Sequence, residues 1–340
     1  MLLTKRFIEP ESKQGGTEMK TRKGWTAVIV GIAVSLLVGV SPALAASDYP
    51  TRAIDVVIPF GPGGGTDLTV RLFKDHVEKI LGQPMITIYK PGAAGVIAGA
   101  YVKEKAPDGY TLFVISNTSL VSSILARKAN FTLDDFVPIA TLTLSPNIFA
   151  VNKDSPYKTF KDFTEAAKTK TMKYATTSAF STGHVIIEAI GRKEGFTALH
   201  VPAGGGAKAA TAVLGGHVDA SFVAPVGIES QLRIIAVNMA ERWEAVPDVP
   251  TLVELGYPSV LETYFAVFAP KGTPKEIIDK IHGAYVKAFE ENKEEITKVS
   301  KNTHQIARVL GPAELEKITR DSHVFFKDML EKIKAPAKAN

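Results

Sequence analysis

The sequence predicts an α/β protein of two lobes, each a mostly parallel sheet flanked by helices. Three observations carry that prediction. Short apolar runs alternate with longer amphipathic stretches along most of the chain, which is the pattern of strand–helix–strand units. The runs are nearly continuous rather than alternating, as in IDVVIPF at residues 54–60, and such strands need cover on both faces. The chain has 340 residues, more than one hydrophobic core usually holds.

The elements follow in order. Beyond the first strand a glycine cluster leads into a helix with Leu68, Leu72, Val77, Ile80 and Leu81 on one face. Strand Met85–Tyr89, a turn at 91–95 and a helix at 96–105 repeat the unit. Pro107-Asp108-Gly109 then turns the chain into a strand at 111–115. Residues 139–152 read as a long extended stretch interrupted at Ser145-Pro146. A second series follows: helix 159–169, strand Lys173–Thr176, helix 184–195, strand 198–202, helix 207–215, and strands at 220–224 and 233–237. Residues 264–269 are extended again. Thr273 and Pro274 take the N-cap and first-turn positions of helix Lys275–Glu291. The charged stretch 290–301 reads as a solvated helix face. No Gly/Ser linker separates the two series. They are therefore expected to be lobes joined by strands crossing near 140–150 and 260–268, with the C-terminal helices returning to the first lobe. The boundaries expected are 46–145 and 265–340 for the first lobe and 146–264 for the second.

The N-terminal segment has a different character. An apolar run at 25–40 is preceded by Lys20, Arg22 and Lys23 and ends at Ser41-Pro42, followed by Ala43-Leu44-Ala45-Ala46. A basic region, a short apolar region and a small-x-small site describe a cleaved secretory signal over residues 1–45. At about 15 residues the run is short of a bilayer span. Residues before Met19 lack signal-peptide character, so Met19-Lys20 reads as the natural start.

Composition narrows the function. With no cysteine the chain has no disulfide framework, thiolate metal site, cysteine nucleophile or lipidated N-terminal cysteine. The formal charge is +5, from 40 basic and 35 acidic side chains. The first 45 residues hold six of the basic and three of the acidic ones, so the remainder is close to neutral. Nothing there points to nucleic acid.

Chemistry concentrates in turns between strands and helices. Phe60-Gly61-Pro62-Gly63-Gly64-Gly65-Thr66-Asp67 joins the first strand to the first helix, with Thr66 or Asp67 as the expected N-cap. Glycines there let the backbone approach a ligand, and the helix start beyond offers free N–H groups and a positive dipole end. No Gly-Lys-Ser/Thr follows, so this is not a P-loop, and the third glycine of a dinucleotide fingerprint is missing. Gly92-Ala93-Ala94-Gly95 repeats the arrangement at the next junction. In a doubly wound sheet both turns lie at the carboxyl ends of neighbouring strands, where ligands bind. Two such turns point to a small anionic ligand. The second series contributes a hydroxyl-rich loop, Thr176 to His184, with Thr177, Ser178, Ser181 and Thr182, and a further turn, Ala203-Gly204-Gly205-Gly206. No metal-spaced histidines, HExxH or Gly-x-Ser-x-Gly is present. No catalytic set, metal site or cofactor emerges, and His184 reads as a helix-start hydrogen-bonding group.

These turns, in this order, resemble the substrate-binding proteins of tripartite tricarboxylate transporters, the Bug receptor family. The resemblance runs from Tyr49-Pro50-Thr51-Arg52 through Leu81-Gly82-Gln83-Pro84, Ala106-Pro107-Asp108-Gly109-Tyr110, His200-Val201-Pro202 and Leu214-Gly215-Gly216-His217-Val218-Asp219. It continues to Pro247-Asp248-Val249-Pro250-Thr251, Gly256-Tyr257-Pro258 and Ala269-Pro270-Lys271-Gly272-Thr273-Pro274. It implies a two-lobed, type II-like periplasmic binding protein, monomeric and not an enzyme. Such a receptor captures a small carboxylate and delivers it to a permease of one large and one small membrane subunit. By that resemblance one carboxylate sits on the first two turns, at Phe60, Gly63, Gly64, Gly65, Thr66 and Asp67 and at Gly92, Ala93, Ala94 and Gly95. Ser116, Asn117 and Thr118 line the same cleft. Thr176, Thr177, Ser178, Ser181, Thr182 and His184 meet the ligand's other end.

The chain departs from the family at two places. Where relatives commonly continue His-Val-Pro with Tyr, it has Ala203-Gly204, and where they often carry Asp or Asn after the next Phe, it has Val223-Ala224-Pro225. Both changes leave a roomier, less polar distal pocket, so the ligand's far end is expected to be bulky or weakly polar, as in an aromatic or longer-chain acid, rather than citrate. Two other readings stay open on sequence alone: a ligand-presenting sensor for a membrane histidine kinase, and a secreted α/β hydrolase.

Overall fold

A computed structural model describes residues 48–225, 231–257 and 261–334. The expected secretory signal lies outside the described residues. Strand β1 (Ile54–Ile58) is buried everywhere except at Asp55, and what covers it explains the architecture. β1 runs parallel to β2 (Met85–Tyr89) on one side and to β3 (Thr111–Ser116) on the other. Helices α1 (Gly65–Leu81) and α2 (Val96–Lys103) make the crossovers. Val70, Phe73 and Val77 of α1 pack with Ile54, Val56 and Ile58, while Ala98 and Val102 of α2 pack with Val57, Phe113 and Ile115. Alternate residues of β1 thus serve two cores, as a strand buried on both faces must.

Strands β4 (Phe136–Ser145) and β10 (Thr263–Pro270) pair antiparallel, β10 also lies antiparallel to β3, and the short β11 (Ile306–Ala307) edges β4. The first sheet has the order β11-β4-β10-β3-β1-β2. The second is built from β5 (Asn147–Asn152), β6 (Lys173–Thr176), β7 (Leu199–Pro202), β8 (Ala220–Val223) and β9 (Leu232–Asn238). Its order is β7-β6-β8-β5-β9, with β6 parallel to β7 and β8 and β5 antiparallel to β8 and β9. Each sheet is therefore mixed: a parallel trio joined to antiparallel strands that carry the chain across. The crossing strand breaks at Pro146, between the end of β4 and the start of β5.

Helices α4 (Phe160–Thr169), α5 (Thr182–Glu194) and α6 (Gly206–Leu214) cover the second sheet. Its centre is aromatic. Phe149 meets Phe160, Phe163 and Phe222 edge-on at centroid distances of 5.0, 4.8 and 5.7 Å, the geometry that opposed ring quadrupoles favour.

The structure differs from the sequence-based expectation at several elements. A helix, α3 (Asn117–Ala126), follows β3 where the sequence reading assigns no element, and the Ser116 hydroxyl caps it by accepting from the Ser119 N–H at 3.2 Å. The N-cap of α1 is Gly64, so Thr66 and Asp67 lie inside the first turn. Helix α5 begins at Thr182, two residues ahead of the expected start. Thr273 does not cap α7 (Lys275–Glu291): its hydroxyl donates to the Pro270 carbonyl at 2.8 Å, and Pro274 holds the cap position. In α8 (Lys293–Asn302) only Ile296 and Ser300 are buried, as the charged pattern implies. The last helix, α9 (Pro312–Lys334), does more than return to the first sheet. Leu315 packs among Val57, Phe113 and Phe136, but Phe326 and Met329 pack with Phe149 and Phe222 of the second sheet. At 1.5 Å per residue its 23 residues are long enough to reach both.

Candidate functional site

Between the two sheets lies a cavity of about 590 Å³, within the ordinary range for a small-molecule site. It opens at the carboxyl ends of the parallel strands, where a doubly wound sheet leaves a crevice. Four helices begin on its wall: α1 and α3 from the first sheet, α5 and α6 from the second. Each helix start presents unpaired N–H groups and the positive end of a dipole.

On the first side the wall is made by Phe60, Gly64, Gly65, Thr66, Ala94, Ser116 and Thr118. Gly65 is required by space, because a Cβ there would stand 2.6 Å from Cζ of Phe265. Thr66 is 1% exposed and its Oγ1 has no hydrogen-bond partner, a state that leaves a buried hydroxyl desolvated without compensation. Gly63 and Asp67 stand behind this wall. The Asp67 carboxylate accepts from the Gly63 N–H at 2.9 Å, Arg71 Nε at 2.8 Å and the Tyr89 hydroxyl at 2.7 Å. Burial alone would raise its pKa, but these three bonds outweigh burial and hold it below the usual carboxylate range. Asp67 thus spends its charge on pinning the glycine turn.

The second turn runs left-handed through consecutive residues: φ is +134° at Gly92, +45° at Ala93, +51° at Ala94 and +113° at Gly95. Two alanines held there cost about 1–2 kcal/mol each. The chain tolerates this where it brings Ala94 to the cavity, with the Ala94 carbonyl fastened by Ser123 Oγ at 2.9 Å. Gly92, Ala93 and Gly95 shape the turn without lining the cavity. Asn117 also faces away. Its Nδ2 donates to the Glu262 carbonyl at 3.1 Å and to Ser322 Oγ at 3.0 Å, and its Oδ1 accepts from the Tyr264 N–H at 2.9 Å.

On the second side the wall contains Thr177, Ser178, Ser181, Thr182, Gly204 and Ala224. Thr176, His184 and Ala203 lie behind it. Thr176 Oγ1 donates to the Ser178 carbonyl at 3.0 Å and sits 2.8 Å from His200 Nε2, so His200 is the donor in that pair. His184 Nδ1 accepts from the Phe180 N–H at 2.9 Å, the helix-start bonding expected of it. The two imidazoles stack at 3.8 Å with planes 9° apart. Burial pushes both down to about 4, and the neighbouring His200 makes charging His184 harder still. They are neutral braces of the loop.

The sequence reading missed several wall residues. Ser119, Ser122 and Arg127 come from or just beyond α3, the helix that the sequence reading does not assign. Ser145 and Asn147 flank Pro146 at the crossing, where polar residues beside a proline break were a usable signal. Asn147 Nδ2 donates to Thr263 Oγ1 at 3.1 Å across the two connecting strands. Gly183, Gly205, Gly206, Phe222, Val223, Thr263 and Phe265 complete the wall. Phe222, Val223 and Ala224 make one stretch of its second-lobe side apolar, beside the bare backbone of 204–206. Among the described residues on the wall Arg127 is the one charged side chain. The wall's hydroxyl and helix-start N–H donors favour an anion.

The tripartite tricarboxylate transporter family receptor model matches residues 69–307. A protein of Cupriavidus necator, described as a UPF0065 protein in the gbd 5′ region, is 34% identical over 277 residues, covering 78% of this chain and 83% of that protein. A solved TctC solute-binding protein from Polaromonas is 30% identical with a TM-score of 0.73, over 84% of this chain and 99% of that one. MatC from Rhodopseudomonas palustris, solved with bound malate, is 27% identical with a TM-score of 0.70, over 83% of this chain and 100% of that one.

Proposed function

This chain belongs to the tripartite tricarboxylate transporter family of receptors, and from that premise we propose that it captures a small carboxylate between its two lobes for delivery to a membrane permease. The family is one of binding receptors, not enzymes. The observation that carries the reading is the convergence of four helix starts on one cavity, beside a buried Thr66 hydroxyl without a partner.

One carboxylate is placed on the first wall. Its oxygens accept from the backbone N–H groups at the start of α1 and from Thr66 Oγ1, while the Ala94 turn closes over it. Charge-assisted bonds of this kind are among the stronger ones a site can make, and here they need no side-chain charge. The rest of the ligand extends toward Phe222, Val223 and Ala224, where an apolar body is accommodated better than a third carboxylate. The two lobes close by rotation about the crossings at Pro146 and at β10, and ligand contacts to both sides favour the closed form. Export by a cleaved leader, residence in the periplasm as a monomer, and a permease of one large and one small subunit complete the proposal. No helix among the described residues is long and apolar enough to cross a membrane, and the malate-bound relative is consistent with the ligand class.

The test is a thermal-shift screen of the exported protein against citrate, short and longer dicarboxylates, acidic amino acids and aromatic acids. A ligand at 100 times its dissociation constant stabilises by about 2.7 kcal/mol, which a melting curve resolves. The expected result is a selective shift with a longer-chain or aromatic acid. A well-folded protein unmoved by every acid overturns the carboxylate reading, and tightest binding by citrate overturns the weakly polar far end.

A further inference from the structure

One charge on the cavity wall is unused so far. Arg127 follows α3 and is half-buried at the cavity. Its guanidinium donates to Ser122 Oγ at 2.7 Å, to Ser178 Oγ at 3.3 Å and to the Ala179 carbonyl at 3.1 Å. All three acceptors are neutral. A guanidinium carries five N–H donors in a fork shaped for a carboxylate, so donors remain. Among the described residues no acid pairs with Arg127; a cation withdrawn from water without a counter-charge is costly to keep, and an anion arriving from the cavity is what offsets that cost. Its position adds a second constraint. Arg127 belongs to the first lobe, whereas Ser178 and Ala179 belong to the loop ahead of α5 in the second. An anion seated here touches both lobes at once.

Taking the carboxylate-receptor reading as given, we propose that Arg127 is a specificity-determining residue that seats a second anionic group of the ligand. The ligand is then a dicarboxylate of extended chain. One end lies on the α1 start and Thr66, the apolar body lies along Phe222 and Val223, and the other end lies at Arg127 and the Ser178 loop. A monocarboxylate of the same length fills the apolar stretch but leaves the guanidinium unpaired. That penalty is the basis of selection between them. The far end is thus weakly polar along its length but charged at its tip.

The experiment is calorimetric titration of the exported protein, purified from the periplasm, with adipate against hexanoate and suberate against octanoate. The wild type is expected to bind the better diacid at least about tenfold more tightly than its length-matched monoacid. In Arg127→Gln the diacid-to-monoacid affinity ratio falls by about 10- to 100-fold, the worth of a hydrogen bond to a charged group. Arg127→Lys retains part of the ratio, because it keeps the charge and loses the fork, and its melting curve serves as the folding control. An unchanged ratio in Arg127→Gln, including equal weakening of both acids, overturns the proposal and leaves Arg127 as a tie between lobes. Equal wild-type affinity for diacid and monoacid also overturns it. A wild type that binds no acid of any kind is a separate result, which removes the carboxylate reading itself.

Discussion

Thr66 is the residue where stability and binding pull apart. Its buried hydroxyl has no partner in the protein, so replacing it by an isosteric methyl removes a desolvation cost from the unliganded fold. Thr66→Val is therefore expected to melt at the same temperature as the wild type or higher. It is also expected to bind its carboxylate about tenfold more weakly, since the methyl cannot donate to a charged oxygen. A variant that loses stability and keeps affinity would show that Thr66 is structural. The residue types of the first wall were legible because glycines at a strand–helix junction announce a close backbone approach. Which polar residue faces the ligand was not. Thr66 and Asp67 are adjacent and both polar, and only the folded register sends one to the cavity and the other back to Gly63, Arg71 and Tyr89. The run of positive φ at 92–95 was likewise half visible: the two glycines marked a turn, but nothing in Ala93-Ala94 announces left-handed alanines.

Among the elements, α3 is the one on which most depends and which the sequence hid best. Its first turn is Asn117-Thr118-Ser119, polar and poor in helix propensity, so the periodicity of Leu120, Val121 and Ile124 begins late. Tertiary bonds compensate. Asn117 joins α3 to the return strand β10 and to α9 through three hydrogen bonds, two of them buried. Asn117→Ala is expected to lower the free energy of unfolding by about 3 kcal/mol, because the Tyr264 N–H loses its partner in a buried setting. Urea unfolding measures this, and a loss below about 1 kcal/mol would mean that the neighbours repair the gap. Strands such as β1, β2 and β6 were legible nearly to the residue, because each is a short run bounded by turn residues. The difference is physical: a buried strand writes its environment into consecutive residues, whereas a helix held by side-chain bonds from distant segments does not.

At the scale of the molecule, two lobes and their crossing were legible from the repeated units and the proline at 146. The antiparallel half of each sheet and the reach of α9 depend on pairings far apart in sequence, which no local pattern records. The stacked imidazoles supply a prediction at this scale. His184 and His200 are held near 4 in the fold and return to about 6.5 in the unfolded chain. The unfolded state therefore takes up protons first as pH falls. Their contribution to stability is complete above pH 6.5 and is lost progressively down to about pH 4. Charging His184 at Nδ1 would also displace the Phe180 N–H. Glu188, 4.0 Å from His184 Nε2 and bonded by the Tyr174 hydroxyl at 3.0 Å, is the acid facing the pair. The melting temperature is expected to fall across that window, with a shallower slope in His200→Gln. An equal slope in that variant would assign the acid sensitivity elsewhere.

The path of α9 has a consequence for how such receptors diversify. Its Leu315 end is built into the first core and its Phe326 and Met329 end into the second, so the second core joins the middle of the chain to the C-terminal helix. The middle segment, β5 to β9, carries most of the apolar far wall and looks like a cassette that could be exchanged between relatives to change what is recognised. Exchanged alone, it would arrive without the α9 side chains that help to complete its interior. A functional transplant must carry the tail helix with it, and for the same reason selection on the far wall reaches residues that never meet the ligand.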